Sequence, residues 1–252
     1  MTDNSAVLTE TRGRVLLITL NRPEAMNAIN TDLAQGLLSA LEQLDTDDGL
    51  TAGVLTGNGR GFCSGMDLKA FAAGGPPKGF DQFLKQGSRK PLIAAIEGFA
   101  IAGGLEVALT CDLLVAAEDA KIGIREVKVG LFAAGGALLR LPRRLPYSVA
   151  MEMALTGEAI TASEAKNYGL VSRVTDKGGT VHSAMELAEQ IAQNAPLAVA
   201  ASKLLINAQQ GITEEEFWEL QKSHMKKVFT SNDAKEGPSS FAEKRAPNWS
   251  GT

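Results

Sequence analysis

Residues 91–111 read PLIAAIEGFAIAGGLEVALTC. An apolar run, Leu92 to Ile96, crosses Gly98 and closes on the pair Gly103-Gly104, and Leu105 to Cys111 then reads as a helix with Glu106 in its first turn. A strand that feeds a glycine turn and then a helix leaves main-chain N–H groups without intrahelical acceptors. Donors fixed before reaction hold developing negative charge well, because they need no reorganisation. Glu106 beside them is a carboxylate that could move a proton. The same glutamate also reads as an ordinary first-turn acid that complements the helix dipole.

The chain around this stretch alternates strand and helix. Val15 to Leu20 is β-branched and apolar, a buried strand that ends at Asn21-Arg22-Pro23 because proline cannot continue the ladder. Asn30 or Thr31 caps a helix with leucines at 33, 37, 38, 41 and 44, one face at helical spacing. Ala52 to Thr56 is the next strand and runs into GNGRGFCSGMDL, residues 57–68, which is glycine-dense and then helical. FAAGGPPKGFD, residues 71–81, reads as a mobile surface loop, and Leu113 to Ala117 as a further strand. This alternation predicts parallel βαβ units, with ligands at the carboxyl ends of the strands. The turns near Gly65 and Gly103 are then expected on one edge.

Beyond Pro142 the pattern turns helical, apart from a short strand over Leu170 to Thr175. Helices are expected over Ser148 to Leu155, Ser163 to Tyr168, His182 to Ala195, Leu197 to Gln209, Thr213 to Phe229 and from Asp233 onward. Thr213 with Glu216 spells a capping box. These helices carry more apolar faces than one layer can bury, which points to packing against other subunits. The expected division is a core over 1–195 and a C-terminal helical oligomerisation region over 196–252.

Composition narrows the function classes. The 252 residues are 44% hydrophobic and 21% charged, with net charge −4, which gives no broad surface for nucleic acid or anionic membrane. No segment reaches the ~20 apolar residues that span a bilayer, and the N-terminus lacks the apolar centre of a secretory signal. Cys63 and Cys111 show no pairing pattern, which suits a reducing cytoplasm. With only two histidines, His182 and His224, no histidine-rich metal site is expected. GNGRGFCSG lacks the dinucleotide spacing, and Ser64 lacks the glycines of a nucleophile elbow. Cys63 without a nearby histidine reads as a packing residue. Glu126, between Arg125 and Lys128, reads on spacing alone as a surface charge.

Taken together, NRPEAMNAI (21–29), FCSGMDL (62–68), the block 91–116, ALTGEAITASEAKNYGLVSRV (154–174) and DAKEGPSSFAEKR (233–245) resemble the crotonase superfamily of enoyl-CoA hydratases and isomerases. The resemblance covers nearly the whole chain. It implies an α/β fold, the ClpP/crotonase-like ββα spiral, followed by a helical trimerisation region. It implies an enoyl-CoA hydratase, a hydro-lyase of fatty acid metabolism that adds water reversibly across C2=C3 of a trans-2-enoyl-CoA. Coenzyme A would belong to the substrate, with no separate cofactor and no metal. The main-chain N–H groups of Met66 and Gly103 would form an oxyanion hole, with Glu106 and Glu126 as the two catalytic carboxylates. Ala25, Ala28, Ser64, Gly65, Met66, Asp67, Leu68, Gly103, Gly104 and Phe132 would contact the acyl-CoA. Phe241 and Lys244 would reach a neighbouring subunit's CoA in a homotrimer or a hexamer built as a dimer of trimers.

Three features depart from the family pattern. Ala102 stands where the family has its third glycine, Arg125 stands where proline or leucine is usual and is expected to favour an ionised Glu126, and Ala133 and Ala137 replace a proline and a glycine. ALLRLPRRLP (137–146) and KEGPSSFAEKRAPNW (235–249) are similar to carnitinyl-CoA dehydratases. The alternatives are therefore a carnitinyl-CoA dehydratase, an enoyl-CoA isomerase or, in another class, a non-catalytic acyl-CoA-binding protein.

Overall fold

The computed structural model describes residues 5–252. Its first hairpin joins β1 (Val7–Arg12) to β2 (Val15–Leu20), turning at Gly13 with φ +59, a value glycine adopts without a Cβ penalty. β3 (Ala52–Gly57) and β4 (Leu92–Ile96) follow in parallel beside β2. After β4 the chain bends at Gly98 (φ +57), where a Cβ would lie 2.1 Å from the Arg60 carbonyl oxygen. That bend sends β5 (Phe99–Ile101) out of the main sheet. β6 (Leu113–Ala117) returns to it, β7 (Lys121–Gly123) and β8 (Ile160–Thr161) join β5, and β9 (Arg173–Thr175) closes the far edge.

The six-stranded sheet runs β1-β2-β3-β4-β6-β9, parallel except for the β1–β2 pair, and the small sheet runs β5-β7-β8. A strand in the large sheet, a short strand in the small one and a helix form the repeating turn of the spiral. β1 was not legible, because VLTETR is exposed along most of its length. β5, β7 and β8 are too short for an apolar period.

The helices are α1 (Thr31–Thr46), α2 (Leu68–Gly74), α3 (Phe80–Gln86), α4 (Gly103–Ala108), α5 (Ala137–Arg144), α6 (Tyr147–Thr156), α7 (Ala162–Asn167), α8 (Thr180–Ala192), α9 (Pro196–Ala208), α10 (Glu214–Phe229) and α11 (Asn232–Glu243). Asn30 caps α1, its side chain accepting from the Leu33 N–H at 2.9 Å. Leu33, Leu37, Leu41 and Leu44 are buried, and Leu38 packs at the rim. The stretch 71–81 is not one loop. α2 continues to Gly74, and α3 begins at Phe80, whose ring packs with Phe83 at 5.7 Å between centroids.

Strand alternation divides the core in two. Leu16, Ile18 and Leu20 face the layer of α1, α3 and α4, while Val15, Leu17, Val54, Ile93 and Val115 face α8 through Ala184, Met185 and Ala188. Small residues on α8 let it lie close across β2, β3, β4 and β6. The expected division at 195/196 falls in the connection between α8 and α9. α9 and α10 bury no residue completely, and α9 is tied to the sheet by Lys203, whose ammonium lies 2.7 Å from Asp112 and donates to the Lys90 carbonyl at 2.8 Å. Asp112 also accepts from the Leu92 N–H, so this contact reaches the start of β4.

Candidate active site

The site begins where β2 ends. Pro23 starts a short 3-10 turn, and Met26 and Asn27 follow with φ +53 and +54. Asn27 is fully buried; its side-chain oxygen accepts from the Arg22 N–H at 2.9 Å, and its amide donates to the Asn58 and Gly61 carbonyls at 2.9 and 3.0 Å. A buried amide with these bonds satisfied clamps segment 21–29 to the loop after β3. That loop is then strapped on both sides. The Ile29 N–H donates to the Gly65 carbonyl at 2.8 Å and the Asp67 N–H to the Ile29 carbonyl at 2.9 Å, while the Ile101 N–H donates to the Cys63 carbonyl at 3.1 Å.

These bonds leave two amides unused. Among the described residues, the N–H groups of Met66 and Gly103 have no acceptor. They are neighbours: a Cβ on Gly65 (φ +102) would lie 3.1 Å from the Gly103 nitrogen, and a Cβ on Gly103 would lie 3.4 Å from the Met66 nitrogen. The approach depends on Gly104, where a Cβ would fall 2.2 Å from the Cys63 carbonyl oxygen. Ala102 holds φ +53 and ψ −129 at the entrance to α4, a conformation natural to glycine. Both glycine turns thus open on one cleft of about 410 Å³, lined by Ser64, Met66, Gly103, Glu106, Glu126 and Phe132 among others.

Glu106 points inward from α4 and is 5% exposed. Its Oε1 accepts from the N–H groups of Gly135 at 2.6 Å and Ala137 at 3.2 Å. Burial raises its carboxyl pKa above the ordinary value; the Ala137 bond opposes this, Glu126 adds to it, and the Gly135 bond and Arg140 oppose it. Glu126 opens a 3-10 turn, Glu126–Val129, and is half-buried. Burial raises its pKa too, against the lowering effect of its own and Arg125's main-chain N–H groups. Its Oε2 is buried with no partner among the described residues. The expectation that Arg125 would favour an ionised Glu126 is therefore corrected. Desolvation dominates, and the Arg125 charge acts on Glu158, whose carboxyl is held low chiefly by Lys128.

The other expected contacts are distributed around this centre. Leu68, 55% exposed, lies on the cleft wall. Ala25 and Ala28 sit in the partly exposed turn, where the Ala28 carbonyl accepts from the Arg22 guanidinium. Asp67 caps α2 by accepting from the Ala70 N–H at 3.2 Å and pairs with Arg22 at 3.3 Å. Its carboxyl is held low by the Ala70 bond first, then by Arg22. Gly104 is buried against Cys63 and does not line the cleft. Phe241, 87% exposed, and Lys244, the left-handed cap of α11, lie away from the cleft of their own chain. Both thiols are buried and pushed up to about 12, which removes Cys63 as a nucleophile. The Gly135–Ala137 cradle was missed in the sequence, although the glycine pair before an apolar helix in AAGGALLR was a usable signal.

The enoyl-CoA hydratase/isomerase family model matches residues 10–252. The chain belongs to this family. An enoyl-CoA hydratase of Mycobacterium tuberculosis is 44% identical, over 96% of this chain and 95% of that protein. The carnitinyl-CoA dehydratase of Proteus mirabilis is 41% identical, over 96% of this chain and 97% of that one. The crystal structure of an enoyl-CoA hydratase from Mycobacterium marinum superposes with a TM-score of 0.95 at 49% identity, covering 99% of this chain and 100% of that chain. As in that structure, the architecture here is the crotonase fold. Among the described residues no helix is long and apolar enough to cross a membrane.

Proposed function

We propose that this enoyl-CoA hydratase/isomerase family member is a hydro-lyase that adds water reversibly across C2=C3 of a trans-2-enoyl-CoA. One observation carries the reading: two acceptor-free N–H groups, the buried carboxylate of Glu106 and the half-buried carboxylate of Glu126 face a single cleft. The thioester oxygen accepts from Met66 and Gly103 as the double bond is attacked. The charge that builds there is an enolate, and each well-placed donor is worth roughly 3 kcal/mol.

Proton traffic divides between the glutamates. Glu106, held by two N–H groups and near a guanidinium, is the better carboxylate base and takes a proton from water as its oxygen bonds to C3. Glu126, with an unpartnered buried oxygen, is the better acid and delivers its proton to C2. Dehydration reverses these roles. Both proton steps run through carboxylates, and coenzyme A arrives as part of the substrate, so the reading calls for no separate cofactor and no metal.

The turn at Ala25 and Ala28 and residues 64–68 support the CoA moiety, while Phe132 flanks the acyl group. Phe241 and Lys244 act on a neighbour's CoA in a trimer or a dimer of trimers, in keeping with their distance from their own cleft. Two unpaired buried thiols suit a cytoplasmic setting. A carnitinyl-CoA dehydratase is the second reading, supported by the 41% identity to that enzyme.

The test is loss of conjugated enoyl-thioester absorbance across a panel of short to long trans-2-enoyl-CoAs plus crotonobetainyl-CoA. Hydration of the uncharged enoyl esters is expected. Turnover of crotonobetainyl-CoA alone selects the second reading, and CoA-ester binding with no absorbance change for any member rejects both.

A further inference from the structure

Arg140 lies on α5, just beyond the amides that hold Glu106. Its Nη1 donates to the Gly135 carbonyl at 3.3 Å, and its Nη2 donates to the carbonyls of Leu84 and, at 3.3 Å, Lys85. Among the described residues no carboxylate lies within ion-pair distance of it. All three acceptors are main-chain oxygens from two segments that wall the cleft. Leu84 and Lys85 end α3, where helix carbonyls lack intrahelical partners. Gly135 supplies the shorter of the two N–H bonds to Glu106.

The intervening residues leave room for this arrangement and nothing else. A Cβ on Gly135 would fall 2.5 Å from Glu106 Oε2 and 2.9 Å from Leu84 Cδ1. A Cβ on Gly136 (φ +107) would fall 2.2 Å from Arg140 Nη1. Glu106 therefore occupies one side of the loop and the guanidinium the other, with the loop carrying no side chain between them.

We propose that Arg140 is a positioning residue for Glu106, fixing the Gly135–Ala137 cradle against the end of α3 so that the carboxylate is held in one orientation toward the cleft. The inference rests on the hydratase reading. A planar fork with several donors suits bridging carbonyls of two segments, which a lysine ammonium at that site cannot reproduce. The charge has a second consequence. Glu106 is faced by Glu126 and Arg125 from the turn after β7, Asp81 from α3 and Arg140 from α5. Of these, Glu126 raises its pKa and Arg140 lowers it. Arg140 itself is faced by Arg143 and Arg144 on its own helix and by Glu106. Removing the guanidinium takes away the positive charge that opposes Glu126 and loosens the loop whose two N–H bonds also lower the Glu106 pKa, so Glu106 should titrate at higher pH.

The test compares Arg140→Gln, Arg140→Lys and the exposed control Arg143→Gln in steady-state hydration of crotonyl-CoA across pH. Arg140→Gln is expected to lower kcat roughly 10- to 100-fold, the scale of a small misplacement of a catalytic group, with KM nearly unchanged and the acidic limb of kcat moved to higher pH. Arg140→Lys should restore the limb but not the wild-type kcat, and Arg143→Gln should match wild type. Wild-type kcat and limb in Arg140→Gln overturn the proposal, even if its melting temperature falls. If Arg140→Gln does not fold, Arg140→Lys decides: wild-type kcat there overturns the proposal and a reduced kcat at an unmoved limb supports it. Wild-type enzyme in the same assay keeps the two readings apart, since its inactivity toward the whole enoyl-CoA panel would reject the hydratase reading itself.

Discussion

Glu106 and Glu126 show what a residue's neighbours alone can reveal. From sequence, Glu106 reads either as a proton carrier beside fixed donors or as an ordinary first-turn acid, and Glu126 on spacing alone as a surface charge. The fold makes them different by desolvating each, seating Glu106 Oε1 on the Gly135 and Ala137 N–H groups and leaving Glu126 Oε2 with no partner among the described residues. Glu106→Gln and Glu126→Gln are each expected to lower kcat by roughly 10²- to 10⁴-fold, the range for removing a positioned acid or base. An isomerase needs one base, so a variant at either position that retained full turnover would point to that chemistry instead. Stability gives a second readout. A carboxyl whose folded pKa lies above its unfolded value binds protons better when folded. Its contribution favours folding below the unfolded pKa, near 4.3, and is lost as pH rises through the raised folded value. At pH 8 the ionised Glu126 thus costs stability that Glu126→Gln avoids. The melting temperature of Glu126→Gln minus wild type should be larger at pH 8 than at pH 4. A gap that is constant with pH, or larger in acid, would contradict burial as the cause. Arg125 marks the limit of the sequence at this scale: adjacency in the chain suggested a partner for Glu126, but burial dominates there and raises its pKa.

At the scale of elements, long periodic segments were legible and short or aperiodic ones were not. The leucines of α1 and the Thr213–Glu216 capping box appear where the pattern placed them, the latter with both reciprocal bonds formed. α3 was missed because its two buried phenylalanines follow a glycine- and proline-rich run that reads as a loop. The three-stranded sheet was missed because each strand spans three residues or fewer. The cleft was half visible: the two glycine turns announced the donors, but the cradle for Glu106 comes from a loop 29 positions further along the chain. α4 carries a strain that can be tested. Ala102 enters it at φ +53, ψ −129, and such a conformation costs a non-glycine residue on the order of 1–3 kcal/mol. Glycine relieves the strain but adds freedom to the unfolded chain, an opposing effect of roughly 0.4–1 kcal/mol. Ala102→Gly is therefore expected to stabilise by about 1 kcal/mol, read as a higher urea midpoint at unchanged slope. A lower midpoint would show that the methyl's packing beside Gly65 outweighs the backbone term.

The whole molecule presents two sets of apolar residues that a lone chain leaves in water. One lies on the core beside the cleft, with Phe132, Tyr147 and Leu155 at 68, 69 and 71% exposure; the other lies on the C-terminal helices, with Ile206, Phe229 and Phe241 at 66, 75 and 87%. Faces of this kind on one protein mark association, and closed rings form when one face of a subunit meets a different face of the next. The expected solution mass is three or six times the 26.5 kDa of the chain, measured by light scattering or sedimentation. Function should follow the same geometry. Phe241 and Lys244 stand off their own cleft, so Lys244→Ala should raise KM for the CoA ester with little change in kcat, by weakening a contact made in the next subunit. Mixing distinguishes this from a local effect. In oligomers co-assembled from Lys244→Ala chains and Glu126→Gln chains, some clefts pair an intact Glu126 with a neighbour's intact Lys244. A component combining low KM with wild-type kcat should then appear that neither homo-oligomer shows. If Lys244 acts within its own chain, no mixed cleft is whole and the component with low KM and wild-type kcat stays absent, whatever the mass of the particle.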